Sequence, residues 1–133
     1  MIGLDTNVLL RAITRDDDVL SPLAIDFLSK LTPQRKGMIN TVVLAELVWS
    51  LRRGYKYGRP EILRIIGKLL QSPSYEFADR QAVNAAVTRC QKEPIHLADA
   101  LIGELNQQAN CLTTMTFDAS AAKSDAFTLL ETV

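Results

Sequence analysis

The fold is decided by the stretch Met1-Ile2-Gly3-Leu4-Asp5-Thr6-Asn7-Val8. Its short apolar run stops at Asp5, and more apolar residues follow Thr6-Asn7. An apolar segment without polar alternation is typical of a strand buried on both faces of a parallel sheet. Thr6 and Asn7 are both residue types that cap helices. We therefore expect a strand, a turn and a helix, with Asp5 at the carboxyl end of the strand, where open α/β sheets bind ligands. Simple helix capping is the alternative role for Asp5.

Length and composition indicate a single globular domain over residues 1–133. The chain is 47% hydrophobic and 23% charged, with a formal net charge of zero, so it has no global basic field that attracts nucleic acid. No apolar run approaches the roughly 20 residues of a membrane span, and the first residues do not resemble a signal peptide, so we expect a cytoplasmic protein. Cys90 and Cys111 are too few for a disulfide scaffold or a zinc site. His96 is interpreted as a capping or surface residue rather than a general acid.

Hydrophobic periodicity predicts strands that alternate with helices. The predicted strands cover residues 1–4, 38–40, 75–78, 111–114 and 127–130. The predicted helices cover residues 7–14, 20–31, 42–53, a stretch after Pro60, a stretch capped by Asp79, and 97–109, with Thr41 as the cap of the third. This alternation implies βαβ units, an α/β fold and a largely parallel sheet.

Glu46 is the most informative acidic residue of the third helix. From Val42 to Trp49 every other residue is apolar, so the pattern predicts that no open polar face is available to the carboxylate. A carboxylate in apolar surroundings costs several kcal/mol unless it is paired, protonated or bound to metal. A salt bridge to Arg52 or Arg53 is the alternative.

Asp99 and Asp118 complete a set of four acids with Asp5 and Glu46. Asp99 lies in the first turn of a helix, where a favourable charge–dipole interaction is the alternative explanation; Asp118 follows the fourth strand, where an exposed loop acid is the alternative. A βαβ sheet brings strand ends and helix starts to one rim. Carboxylates gathered there repel by about 4 kcal/mol per pair at ~4 Å and an effective dielectric near 20, so the cluster requires a cation. Oxygen ligands favour Mg²⁺, with Mn²⁺ as a substitute, and displacement at phosphorus is the chemistry that needs them.

Four stretches of the sequence resemble the PIN-domain ribonucleases, and within them the VapC toxins of toxin–antitoxin pairs. They are Gly3-Leu4-Asp5-Thr6-Asn7-Val8-Leu9-Leu10, Val43-Leu44-Ala45-Glu46-Leu47-Val48-Trp49, Leu97-Ala98-Asp99-Ala100-Leu101-Ile102 and Thr116-Phe117-Asp118. The resemblance implies a three-layer fold in which a central five-stranded parallel sheet is flanked by helices. It also implies a homodimer, and an antitoxin whose C-terminal tail occupies the active-site groove.

The resemblance also implies a role for each site residue. The acidic site is formed by Asp5, Glu46, Asp99 and Asp118, with support from Thr6, Asn7 and Thr116. The leading hypothesis is a Mg²⁺-dependent endoribonuclease that serves as a toxin. In it, Asp5 and Asp99 are the main metal ligands, Glu46 binds directly or through water, and Asp118 is an outer ligand or orients water.

Three other functions compete with this hypothesis. The first is a metal-dependent nuclease that acts on DNA, and the second is a catalytically idle PIN fold that binds RNA or protein. The third is a signalling receiver-type domain, which is disfavoured because Asp5 is followed by Thr6-Asn7 and not by a second acid.

Four arginines are candidates for contact with RNA phosphates: Arg11, Arg15, Arg52 and Arg53. The last two open a basic segment that runs to Lys68 and includes Tyr55 and Tyr57. This composition suits neutralisation of the RNA backbone together with base stacking. A solvated helix end is the alternative.

Overall fold

The computed structural model describes residues 1–131, so the last two residues of the predicted domain lie outside the described part. The chain forms two compact units, Met1–Arg80 and a second unit that begins at Gln81. The first unit contains β1 (Ile2–Gly3), α1 (Thr6–Thr14), α2 (Leu20–Ser29), β2 (Gly37–Ile39), α3 (Thr41–Trp49), α4 (Arg59–Gln71) and β3 (Tyr75–Phe77). Next come α5 (Arg80–Lys92), α6 (Leu97–Gln108), β4 (Thr114–Thr116) and β5 (Phe127–Leu129). No helix among residues 1–131 is both long enough and apolar enough to cross a bilayer.

The first unit is built on a parallel sheet with the strand order β1-β2-β3. Ile2 pairs with Gly37, and Gly37 pairs with Tyr75. A Cβ at Gly37 would lie 2.7 Å from Leu4 Cδ1 and 2.9 Å from Leu31 Cδ1, so a larger residue there would require these leucine side chains to move. Because the three strands are parallel, their carboxyl ends lie at one edge of this sheet. Asp5 follows the carboxyl end of β1.

Helices α1, α3 and α4 bury the apolar residues of the first unit. The largest fully buried side chains in this unit are Leu9, Ile39, Leu44, Leu47, Leu51 and Ile66. Asn40 caps α3, since its Oδ1 accepts a hydrogen bond from Val43 N at 2.9 Å. The predicted cap, Thr41, is instead the first residue of the helix.

A single π-helical turn, Ser50–Gly54, continues α3. The turn is closed by a hydrogen bond of 3.1 Å from Tyr55 N to Ser50 O, which spans five residues. A π turn holds more residues than an α turn between the same ends. The residues that follow the π turn therefore lie on a different side of the helix from the one that an uninterrupted α-helix would give them.

The second unit holds α5, α6, a short 3₁₀ turn at Ala121–Lys123, and the parallel pair β4–β5. Gly103 of α6 allows β5 to approach closely: a Cβ there would lie 2.9 Å from Phe127 Cε2. Buried residues of α5 complete its core: Ala82, Val83, Ala86, Val87 and Cys90.

The expectation of one five-stranded sheet is not met, although five parallel-paired strands are present in the described residues. They are hydrogen-bonded as one sheet of three strands and one of two. β1 is only two residues long, so it offers few main-chain groups for a second neighbour. The fourth strand is Thr114–Thr116 rather than residues 111–114. Cys111 and Leu112 are exposed, so the apolar residues that suggested that strand do not belong to the core.

Candidate active site

Thr6 joins two of the four predicted acids within the first unit. Its main-chain N–H donates to Asp5 Oδ1 at 2.8 Å, and its hydroxyl donates to Glu46 Oε1 at 2.9 Å. Asp5 is placed by the end of β1 and Glu46 by the middle of α3. Thr6 itself is buried, so one fixed residue orients two carboxylates that are 41 positions apart in sequence.

Glu46 is exposed, and the expectation that it has no open face is wrong. The reason is that α3 is not covered all round: Val42 is 69% exposed and Trp49 is 62% exposed. Within residues 1–131 no ion pair joins Glu46 to Arg52 or Arg53; Thr6 is its hydrogen-bond partner. Val42 and Trp49 therefore form an apolar surface on the same side of α3 as Glu46, while the other side of the helix is buried.

Both carboxylates keep an oxygen that is available to a ligand. Among the described residues, Asp5 Oδ2 and Glu46 Oε2 accept no hydrogen bond, and both residues are exposed. Two hard oxygen donors held by one buried threonine fit a divalent cation such as Mg²⁺ or Mn²⁺. In the described part of the chain, no three His, Cys, Asp or Glu side chains are grouped closely enough to hold a metal ion.

The other two predicted acids lie in the second unit. Asp99 is half-buried and is the third residue of α6, where the helix dipole favours a negative charge. Asp118 is exposed and follows β4; its Oδ1 accepts hydrogen bonds from Ser120 N at 2.8 Å and Ala121 N at 3.4 Å. The predicted support residue Thr116 fixes this loop, because its Oγ1 accepts a hydrogen bond of 3.0 Å from Asp118 N. Asn7, the other predicted support residue, is an exposed residue in the first turn of α1.

Arg11 is held by its own chain, which the sequence did not indicate. Its Nη1 donates to both carboxylate oxygens of Asp16 at 3.0 Å, and Tyr55 donates to Asp16 Oδ2 at 2.5 Å. Hydrogen bonds from Tyr55, Thr14 and Arg11 lower the pKa of Asp16 to about 2. This cluster ties the end of α1 to the loop after the π turn, so the guanidinium of Arg11 is already paired.

The remaining predicted RNA contacts differ in their accessibility. Arg15 is exposed and ends α1 in the left-handed conformation, with φ of 52°. Arg53 is exposed and Arg52 is half-buried, both within the π turn. The ring of Tyr55 packs edge-on against Tyr57 at 6.4 Å between ring centroids. Tyr55 is therefore engaged by its ring and its hydroxyl, and the arginines are the freer part of this segment.

Sequence reasoning missed two further polar clusters. At the ends of β2 and β3, the Thr41 hydroxyl donates to Asp79 Oδ2; the signal available was the position of both residues directly after a strand. In the second unit, Arg89 forms ion pairs with Glu104 and Asp125. Nothing in the spacing of these three residues indicated that they meet.

The fold and the carboxylates together define an α/β protein with acidic residues at strand ends and helix starts. The chain belongs to the PIN-domain family, whose profile matches residues 2–126. PIN domains are a nuclease fold that is generally metal-dependent and acts on nucleic acid. Comparison with curated proteins gives no match to the chain.

Proposed function

We propose that this protein is a Mg²⁺-dependent endoribonuclease and the toxin of a type II toxin–antitoxin pair. One observation supports the activity above others. Thr6 holds Asp5 and Glu46, and one carboxylate oxygen of each accepts no hydrogen bond among the described residues. The PIN-domain match covers both compact units. We propose that residues 1–133 act as one domain, and that Asp5 and Glu46 of the first unit and Asp99 and Asp118 of the second are the metal-binding acids of this activity.

The proposed roles follow from where each side chain lies. Asp5 and Asp99 would hold the cation as main ligands, Glu46 would bind it directly or through a water molecule, and Asp118 would act as an outer ligand or orient water. A bound divalent cation supplies an activated water and neutralises charge that develops at phosphorus. Thr6 fixes the carboxylates before substrate arrives, so less reorganisation is needed.

The activity is tested with purified protein and labelled single-stranded RNA. We expect cleavage in Mg²⁺, none after addition of EDTA, and recovery when Mn²⁺ is added in excess. Undiminished cleavage in EDTA would exclude the metal mechanism. Parallel reactions with single-stranded and duplex DNA separate a ribonuclease from a deoxyribonuclease, and RNA binding without any cleavage would identify an idle binding module.

An apolar groove beside Asp5 supports the antitoxin part of the proposal. The groove has a volume of about 380 Å³ and lies between α1 and α2. It is lined by Gly3, Leu4, Asn7, Val8, Arg11, Leu20, Leu23, Ala24 and Phe27. We propose that an apolar segment of the antitoxin tail docks there, between residues Leu4 and Asn7 that flank Asp5 in the sequence and the helix α2.

The antitoxin proposal has a genomic test and a binding test. A short reading frame for a small DNA-binding protein is expected immediately upstream. Leu23→Asp should weaken binding of that protein while RNA cleavage by the free toxin is retained, because Leu23 carries no ligand oxygen. Equal binding by the variant would remove the groove from the proposal.

The exposed side of α3 supports the homodimer. Val42 and Trp49 present large apolar side chains to solvent on this helix, and apolar surface of this kind is typical of interfaces. On α4, by contrast, Ile62 and Ile66 are buried and are not available to a partner. Light scattering should give twice the monomer mass of 14.7 kDa, and Trp49→Glu should shift it toward the monomer.

A further inference from the structure

Arg89 of α5 connects three segments of the second unit. Its Nε donates to Glu104 Oε1 at 3.0 Å, and its Nη1 donates to Asp125 Oδ1 at 2.6 Å and Ser124 Oγ at 3.0 Å. Nη1 also lies 3.5 Å from Glu93 Oε1, one residue beyond the end of α5. The Arg89 side chain is only 17% exposed, while Glu104 and Ser124 are buried. Burial disfavours the charged form, but hydrogen bonds to Asp125 and Glu104 outweigh it and raise the pKa of Arg89 above its usual value.

One partner of Arg89 lies on the helix that carries Asp99. Glu104 and Asp99 are both in α6, five residues apart, which corresponds to a rise of about 7.5 Å along a rigid helix. A constraint on the side chain of Glu104 therefore constrains the position of the first turn of α6. Because Glu104 is buried, removing its cationic partner leaves a charge without compensation.

The other partners end the loop that carries Asp118. Asp118 Oδ1 accepts the N–H groups of Ser120 and Ala121, and the 3₁₀ turn Ala121–Lys123 leads directly to Ser124 and Asp125. Hydrogen bonds thus connect Asp118 with the turn, and Arg89 connects the end of the turn with α6. The fixed planar fork of a guanidinium lets one residue bond both segments at once, which a single ammonium group does not do.

We propose that Arg89 is a positioning residue that sets the separation of Asp99 and Asp118 by joining α6 to the loop after β4. Arg89 contacts neither Asp99 nor Asp118. It acts through Glu104 on the side of α6, and through Ser124 and Asp125 on the side of the loop after β4. The proposal rests on the proposed function, because it assumes that Asp99 and Asp118 hold a metal ion.

The test compares Arg89→Lys with a matched arginine elsewhere in the chain. Arg80 has a similar set of bonds, to Glu76 Oε1 at 3.1 Å and to the main-chain oxygens of Leu70 at 3.0 Å and Tyr75 at 2.9 Å. These partners lie in the first unit around β3, and neither Asp99 nor Asp118 depends on them. Arg80→Lys therefore reports the general effect of loosening an arginine that holds several hydrogen bonds.

Mn²⁺ binding to the full chain is measured by calorimetry without RNA, and RNA cleavage is measured over a range of Mn²⁺ concentrations. For Arg89→Lys we expect a dissociation constant for Mn²⁺ raised about 10-fold to 100-fold, as for partners that orient metal ligands. Cleavage should recover at high Mn²⁺ with an unchanged KM for RNA. Arg80→Lys should keep the wild-type Mn²⁺ affinity even if its melting temperature falls.

The outcomes separate this proposal from the proposed function. Wild-type protein that neither binds Mn²⁺ nor cleaves RNA would overturn the proposed function. Wild-type protein that does both, with unchanged Mn²⁺ affinity in Arg89→Lys, would overturn the positioning role alone. If Arg89→Lys does not fold, Asp125→Asn decides, since Asp125 is 83% exposed and tolerates the change; unchanged Mn²⁺ affinity in that variant would also overturn the proposal.

Discussion

The hydroxyl of Thr6 donates a hydrogen bond to Glu46 Oε1 over 2.9 Å and so connects the first turn of α1 with the middle of α3. The same residue donates its main-chain N–H to Asp5. Two carboxylates from distant parts of the sequence are thereby oriented by one side chain and one peptide group. The hydrogen bond of a threonine hydroxyl is the part of this arrangement that mutation can remove selectively.

Thr6→Val should reduce catalysis far more than stability. Valine keeps the branched shape but removes the donor to Glu46, and a net loss of about 1 kcal/mol is expected for one hydrogen bond. Loss of an orienting partner should lower metal affinity by about 10-fold to 100-fold. Thr6→Ser keeps the hydroxyl and is the control, expected near wild type in Mn²⁺ titration and RNA cleavage. A loss in Thr6→Ser as large as that in Thr6→Val would contradict this role, because serine keeps the hydroxyl that donates to Glu46.

Asp5→Asn and Asp99→Asn should abolish cleavage while leaving the metal-free fold as stable as wild type or more so. Asparagine at position 5 still offers Oδ1 to Thr6 N, and each change removes charge repulsion at a site retained for function. Thermal melts in EDTA measure the stability and gel assays measure cleavage. Asp26→Asn, at an exposed residue paired with Lys30, should leave cleavage unchanged. A strong loss of stability in both site variants would favour capping or structural roles instead.

Local patterns were sufficient to predict most of the helices, because each has its own apolar periodicity and its own end signals. The helix that begins at Leu97 and the strand–turn–helix around Asp5 are observed close to their predicted bounds. The fourth strand was misplaced because the apolar residues Cys111 and Leu112 were assigned to it, although both are exposed. Periodicity finds apolar residues, but it does not say which of them the rest of the chain covers.

The same limit of hydrophobic periodicity explains why the predicted burial of Glu46 is wrong. Its apolar neighbours on α3 suggested burial, while Val42 and Trp49 are exposed. The ion pairs of Arg89 with Glu104 and Asp125 were not predictable from spacing, because residues 15 and 36 positions apart meet only after the chain has folded. Strand ends and helix starts indicated where the acids lie, but not which side chains hold them.

The stability of the protein in acid should depend on Asp16. Its pKa is about 2 in the folded protein against 3.8 for an ordinary aspartate, because Tyr55, Thr14 and Arg11 donate hydrogen bonds to the charged form. A lowered pKa stabilises the fold above pH 4, and this contribution is lost as the pH falls through about 2. Asp16→Asn should therefore show a flatter fall in melting temperature between pH 4 and 2 than wild type.

Asp18→Asn is the control for this comparison. Asp18 is exposed and accepts no hydrogen bond within the described residues, so this variant should follow the wild-type curve. Identical curves for wild type and Asp16→Asn would show that the hydrogen bonds to Asp16 do not form in solution.

Replacing Arg52 and Arg53 together with Gln should weaken RNA binding and its dependence on salt. With a net charge of zero, affinity must come from a local patch, and each lost phosphate contact lowers the salt slope by about 0.7 for a single strand. We expect a decrease of roughly one to two units in the slope. Filter binding at several salt concentrations measures it, and Mn²⁺ affinity should not change.

A replacement of the exposed Arg35 by Gln tests whether any lost positive charge has the same effect on the RNA salt slope. It should leave the slope near the wild-type value. If the double variant of Arg52 and Arg53 does the same, the RNA path lies elsewhere. Arg15 is then the next candidate, since Arg11 is already paired with Asp16.

The π-helical turn at Ser50–Gly54 holds one residue more than an α turn between the same ends. A polypeptide one residue shorter here therefore closes as an ordinary α turn, with the chain on either side of the turn held in place. The contact of Tyr55 with Asp16 is then kept, while the arginines of the turn point in a new direction relative to Glu46. A one-residue deletion in this segment thus changes one patch of the surface and not the packing on either side of it.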